Sequence, residues 1–189
     1  MKIFGPDPKD ISLKQIHDFL SLRKSKFVDK LRWDIPHTSE KEWDQYDLPD
    51  ALFIIAYDGE NCIGGARLLS TSVESVKFFG QPRSWMIPDF VDSGIIDPLA
   101  VEAQHLLSDP KVWEMTRVVT TRPDVMGAIL DKANEYLANQ GATHVLTISP
   151  ISMPKALEAN GYNTIAISPS MKFDGRRYVT LRTPIKKPA

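Results

Sequence analysis

The sequence predicts one α/β domain: a single mixed, mostly antiparallel sheet flanked by helices. Three observations predict it. Helix-like and strand-like segments alternate along the chain, an early hairpin precedes them, and 189 residues suffice for one buried core but hardly for two. Residues 1–189 are therefore read as a single domain. A hydrophobic fraction of 42% and a charged fraction of 25% suit an ordinary soluble globular chain.

The elements follow in order. Ser12-Leu13-Lys14-Gln15 is a capping box, in which hydroxyl and amide satisfy each other's backbone N–H groups. The helix it opens carries Ile16, Leu20, Phe27 and Leu31 at helical spacing and ends near Arg32. From Asp34 to Asp50 periodicity vanishes, and such a long loop is usually functional or mobile. The apolar runs Leu52–Tyr57 and Cys62–Leu69, separated by Asp58-Gly59-Glu60-Asn61, form an antiparallel hairpin. Between Ser72 and Lys111 the pattern is hard to read, with one short helix around Pro98–Leu107.

Val112–Thr120 is strongly strand-prone. A helix follows from about Asp124 to Gln140, with Gly141 as its stop. His144–Ile148 is a buried strand, Ser152 caps a short helix that Gly161 ends, and Asn163–Ile167 and Arg176–Arg182 close the sheet.

Composition excludes several classes. A formal net charge of -1 gives no field favouring nucleic acid or an anionic membrane. Cys62, alone, allows no internal disulfide, and the chain lacks a long apolar run or a signal-like N-terminus. A reducing, cytoplasmic setting without membrane insertion is expected. The four histidines (His17, His37, His105, His144) lack ligand spacing, so no metal is expected.

Several charges sit oddly among apolar residues. Arg23 shares a helix face with Leu20 and Phe27, either covering apolar surface with its stem or clamping a carboxylate. The acidic loop Glu40–Asp47 interleaves Trp43 and Tyr46 with carboxylates, a mixture that is either solvated or able to hold a cation. In Gly64-Gly65-Ala66-Arg67-Leu68-Leu69 the glycines suggest a bulge or a close approach. Arg67 has the strand parity of Ile63 and Leu69, so it is either a buried charge needing partners or an edge residue in solvent. Glu114 and Arg117, three apart, face opposite sides of a regular strand unless a bulge brings them closer.

The element order is also that of the N-acetyltransferase (GNAT) superfamily. The pattern Arg23…Phe27…Trp33…Asp44-Gln45-Tyr46-Asp47…Gly65-Ala66-Arg67-Leu68-Leu69…Trp113-Glu114-Met115-Thr116-Arg117 resembles the acyl-homoserine-lactone synthases of bacterial quorum sensing. The match is dense from Leu22 to Thr71, sharp at Val112–Val119 and weak elsewhere. Ser70 stands where a proline is expected, Val118 where an aromatic is expected, and the stretch between Thr71 and Trp113 is longer than usual.

The resemblance implies S-adenosylmethionine as a substrate, no cofactor, and an acyl thioester delivered by acyl carrier protein. It implies Glu114 as general base, acting through a water. Asp44 and Asp47 would hold the cationic substrate or pair with arginines, while Arg23 and Arg67 would orient the carboxylate or tie the acidic loop to the sheet. Phe27 and Trp33 would cover the nucleotide, and Arg117 would complete an ion network. Thr147 and Ser149 would line the acyl pocket. Lys111, Arg122, Lys132 and Lys155 are the basic residues expected to meet the acidic carrier protein.

The alternatives are a GNAT-type N-acyltransferase using acyl-coenzyme A and a catalytically silent ligand-binding relative. The former predicts a basic, glycine-rich pyrophosphate loop between the central strand and its helix. Here Thr121–Gly127 has one glycine and an intruding Asp124, which disfavours coenzyme A.

Overall fold

The computed structural model describes residues 1–72, 85–97 and 108–186. Among them the strands are β1 (Lys2–Phe4), β2 (Leu52–Asp58), β3 (Asn61–Ser70), β4 (Val112–Thr120), β5 (His144–Pro150), β6 (Ile165–Ala166), β7 (Met171–Phe173) and β8 (Arg176–Pro184). The helices are α1 (Leu13–Lys24), α2 (Ile87–Asp92), α3 (Pro123–Asn139) and α4 (Met153–Ala159). The strands form one mixed sheet in the order β1-β2-β3-β4-β5-β8-β6, with β7 also on β8. β4 and β5 run parallel; β1–β2, β2–β3, β5–β8, β6–β8 and β7–β8 are antiparallel. This is the mixed, mostly antiparallel sheet with flanking helices that the sequence predicts.

Two compact units share β3 and β4: Met1–Leu68 with Thr116–Tyr136, and Leu69–Met115 with Leu137–Ala189. In the first, α1 and α3 cover opposite faces of the strands. Successive strand residues point to opposite faces, and the paired glycines of β3 use this alternation. A Cβ on Gly65 would sit 2.6 Å from the Phe19 ring of α1, and one on Gly64 would sit 2.7 Å from the Val125 side chain of α3. Glycine at both positions lets each helix approach the backbone itself. β2 is buried continuously from Phe53 to Tyr57, as a strand covered on both faces must be.

In the second unit Val112, Val145, Leu146, Val179 and Leu181 are among the buried residues of the sheet. α4 stops at Gly161, whose φ of 73° is left-handed, and the Lys186 ammonium donates to the carbonyl of Asn160 at 3.1 Å. Trp85, Met86 and Ile87 are buried at the start of α2.

The differences from the sequence reading are local. α1 does not run to Arg32: after Lys24 the backbone widens into a π-turn over Ser25–Lys30. Ser152 stands at the N-cap of α4 without a side-chain cap bond, and the strand expected over Asn163–Ile167 shortens to Ile165–Ala166. β1, β7 and α2 were not read from sequence, and the helix expected over Pro98–Leu107 lies outside the described residues. No helix among the described residues is long and apolar enough to cross a membrane.

The close approach at β3 gives a direct test. Gly65→Ala would press a methyl against the Phe19 ring and the Ile54 carbonyl, 2.7 Å away. Urea denaturation should show a loss of about 1–3 kcal/mol, the usual scale of overpacking, at unchanged m-value. Wild-type stability would mean that α1 is not tightly seated.

Candidate active site

The first unit gathers three arginines and three carboxylates into one buried network. Arg23, from the last turn of α1, donates through Nε to Glu42 at 2.5 Å and grips Asp47 in a two-pronged contact at 2.7 and 2.9 Å. Arg67, from β3, reaches Asp44 at 2.6 and 3.0 Å, Asp47 at 2.7 Å and the Thr116 hydroxyl at 3.0 Å. Arg117, from β4, contacts Asp44 at 2.7 Å and Glu42 at 3.2 Å. The side chains of Arg23, Arg67 and Glu42 are fully buried.

The acidic loop is therefore held rather than free. The Glu42 N–H donates to the Leu20 carbonyl at 3.2 Å, anchoring the loop to α1. Asp47 accepts from the Asp44 N–H at 2.8 Å, and Asp44 accepts from the Tyr46 N–H at 2.9 Å. Tyr46 is buried with the Arg67 guanidinium 5.7 Å from its ring centroid, whereas Trp43 is exposed. Burial alone would raise the Asp44 pKa, but Arg67 and then Arg117 outweigh it and hold the carboxyl at about 2. Asp47 is lowered in the same way: Arg23 and Arg67 override its burial.

The aromatic pair is built by the turn that ends the helix. The π-turn brings the Trp33 N–H back to the Phe27 carbonyl at 2.9 Å, through Arg32 in a left-handed conformation with φ 61°. Phe27 and Trp33 consequently stack, with centroids 4.7 Å apart and planes 17° apart. The Arg117 guanidinium lies 5.5 Å from the Phe27 centroid. Such π-turns in helices recur at functional sites.

The backbone at Arg117 has φ 52°, a left-handed residue inside a strand. Regular alternation is broken there, as a bulge would break it. In the second unit Glu114 is fully buried, and its Oε2 accepts the Met86 N–H at 2.5 Å. The register pairs Trp113 with Val145 and Glu114 with Leu146. Alternation along β5 then puts Thr147 and Ser149 on the face opposite Glu114. Their hydroxyls bond to each other at 3.1 Å.

Arg23, Asp44, Asp47, Arg67 and Arg117 thus meet in one network, and Phe27 and Trp33 stack beside Arg117. Glu42 and Thr116 were missed as specific partners. The only signal for Glu42 was its place two residues before Asp44; Thr116 shared the motif without a charge to mark it. Of the four basic residues expected at a carrier-protein surface, Arg122 is held by Asp58 and Asp124, and Lys132 by Glu135.

The fold is that of the N-acetyltransferase-like acyltransferases. An acyl-CoA N-acyltransferase from Pseudomonas aeruginosa superposes with a TM-score of 0.58 at 14% identity, covering 96% of each chain. A coenzyme A-dependent acyl-homoserine lactone synthase, BjaI, solved with SAM and isopentyl-CoA, superposes at 0.75 with 18% identity, covering 97% of this chain and 82% of that one. The family model for autoinducer synthases matches residues 9–184. An acyl-homoserine-lactone synthase of Acinetobacter nosocomialis is 30% identical over 171 residues, spanning 83% of this chain and 85% of its own length. The chain belongs to the autoinducer synthase family and is, with it, an acyltransferase enzyme.

Acid should expose the network. An unfolded aspartate ionises near about 3.9, so the stabilisation from ionised Asp44 is complete above that pH and is lost as pH falls through about 2. Stability against urea should fall steeply between about pH 4 and pH 2, and Asp44→Asn should flatten that slope. Identical slopes in both proteins would remove Asp44 from the network's electrostatics.

Proposed function

We propose that the chain, acting as one acyltransferase-like domain over residues 1–189, makes N-acyl-homoserine lactone from S-adenosylmethionine and an acyl thioester, releasing methylthioadenosine. The carrying observation is the charge-balanced buried network in a chain of this family. Buried ion networks rarely stabilise better than apolar packing would. Their use is geometric, and this one fixes the acidic loop, the Phe27 ring and the backbone of β4 together.

In this reading the methionyl amine loses its proton to Glu114 through a water and attacks the thioester carbonyl carbon. A C–N bond forms, the C–S bond breaks, and the carrier thiol leaves. The methionyl carboxylate then attacks the carbon beside the sulfonium; the ring C–O bond forms and methylthioadenosine departs as a neutral thioether. The relative solved with SAM and isopentyl-CoA supports this substrate pair by analogy. The fixed carboxylate of Glu114, with one oxygen on the Met86 N–H, is suited to a positioned base.

Arg23, Arg67, Asp44 and Asp47 are read as positioning groups, since each carboxylate already has an arginine partner. Phe27 and Trp33 would cover the nucleotide, with Arg117 holding Phe27. Thr147 and Ser149 would line the acyl side from the face opposite Glu114.

The donor is read as acyl carrier protein. Lys111 and Lys155 are exposed, and neither forms an ion pair among the described residues. On the β7–β8 hairpin exposed Lys172 stands directly opposite exposed Arg177. Like charges across a strand pair are unfavourable alone, which suits an acidic protein partner.

Mass spectrometry of organic extracts from expressing cells should find a lactone-ring fragment ion with a defined acyl tail. An N-acylated product without methylthioadenosine would point instead to a simple N-acyltransferase. Glu114→Gln keeps shape but removes the basic oxygen; turnover should fall roughly 100-fold or more with a much smaller change in KM for S-adenosylmethionine. Near-normal turnover would reduce Glu114 to a structural acceptor for Met86.

A further inference from the structure

We propose that Asp58 and Asp124 are donor-selectivity residues that close the β4–α3 loop to the pyrophosphate of coenzyme A. The inference rests on the acyl-thioester reading above and names what the enzyme refuses as donor. A related synthase is coenzyme A-dependent, so the fold itself does not dictate the choice.

A phosphate-binding loop before a helix needs free N–H groups and a free cation. Here the first donor of the loop and its one cation are already used. The Thr121 N–H and hydroxyl both donate to the Ile63 carbonyl, at 2.9 and 3.0 Å. Pro123, the first residue of α3, has no N–H to give. Arg122 is the one cation of the loop, and a guanidinium suits phosphate well. It is instead clamped: Nη1 donates to Asp58 at 2.7 Å, while Nε and Nη2 both donate to Asp124 at 3.2 Å.

Charge completes the closure. Two carboxylates surround one guanidinium, so an arriving pyrophosphate meets a net negative site. Asp124 also lies in the first turn of α3, where its charge offsets the positive end of the helix that an anion would otherwise feel. Asp58 comes from the end of β2, 64 residues away in sequence, and only the fold brings it here. The side chains of Asp58 and Asp124 are 51% and 62% exposed, so they confront solutes directly. A carrier-protein donor presents a single phosphodiester charge where coenzyme A presents a pyrophosphate and a further phosphate, so it meets weaker opposition at this loop.

Exposed pairs of this kind contribute little to stability, so variants should fold. Free coenzyme A is titrated calorimetrically into wild type, Asp58→Asn, Asp124→Ser (which keeps a helix-capping hydroxyl) and the double variant Asp58→Asn/Asp124→Asn. Circular dichroism checks the fold of each. The double variant should bind coenzyme A at least about tenfold more tightly than wild type, with each single change giving part of the gain. Its kcat/KM ratio for acyl-coenzyme A over acyl carrier protein should rise by a similar factor. Equal coenzyme A affinity in all four proteins overturns the proposal, as does tight binding by wild type. Should the double variant not fold, the two single variants decide on the same criterion. Should no donor give lactone with wild type, the functional reading fails, while the binding comparison still decides the role of the two aspartates.

Discussion

Arg67 is the side chain around which the first unit is arranged. Its guanidinium is fully buried on β3, and a cation removed from water is costly unless its donors are occupied. They are occupied by residues from two other segments: Asp44 and Asp47 of the loop and Thr116 of β4. A loop without periodicity is thereby given a fixed course. The same carboxylates recruit Arg23 and Arg117, and Glu42 bridges those two, so three positive and three negative groups close on each other. Removing any one leaves an uncompensated charge indoors, which makes the set a unit rather than a sum of pairs.

The network answers one question left open by sequence. Carboxylates interleaved with aromatics can hold a cationic ligand, or they can be the counterions of arginines. Asp44 and Asp47 are counterions here, and Tyr46 lies against Arg67. The aromatic stack beside the network is Phe27–Trp33, with Arg117 against Phe27. The ion pairs of the network hold this arrangement together from within the unit.

Much of the fold was legible because its elements carry strong local signals. The capping box at Ser12, the turn at Asp58–Asn61 and the glycine at 141 all appear where the sequence puts them. Burial of Arg67 was readable as one of two alternatives, from its parity with Ile63 and Leu69. Other features had no local signal. Lys2–Phe4 is too short to display a period, and Ser25–Lys30 contains no glycine or proline to announce a wider helical turn. Glu42 was hidden differently: its partners lie 19 and 75 residues away, and a charged residue in a polar loop looks the same whether it meets water or two arginines. Pairing across such distances is a property of the folded chain.

The backbone of β4 shows how site and fold are joined energetically. A non-glycine residue in the left-handed region costs roughly 1–2 kcal/mol, and Arg117 sits there in the middle of a strand. Such a conformation persists only where its surroundings over-determine it. Those surroundings are Asp44, Glu42 and the face of Phe27, which together hold the guanidinium that this turn of the backbone delivers. Phe27 in turn is placed by the π-turn, and Glu42 by the Leu20 carbonyl of α1. An irregular strand and an irregular helix thus support each other through one arginine. Regularising either would withdraw the contacts that make the other tolerable, so the two irregularities form one structural feature, joined at Arg117.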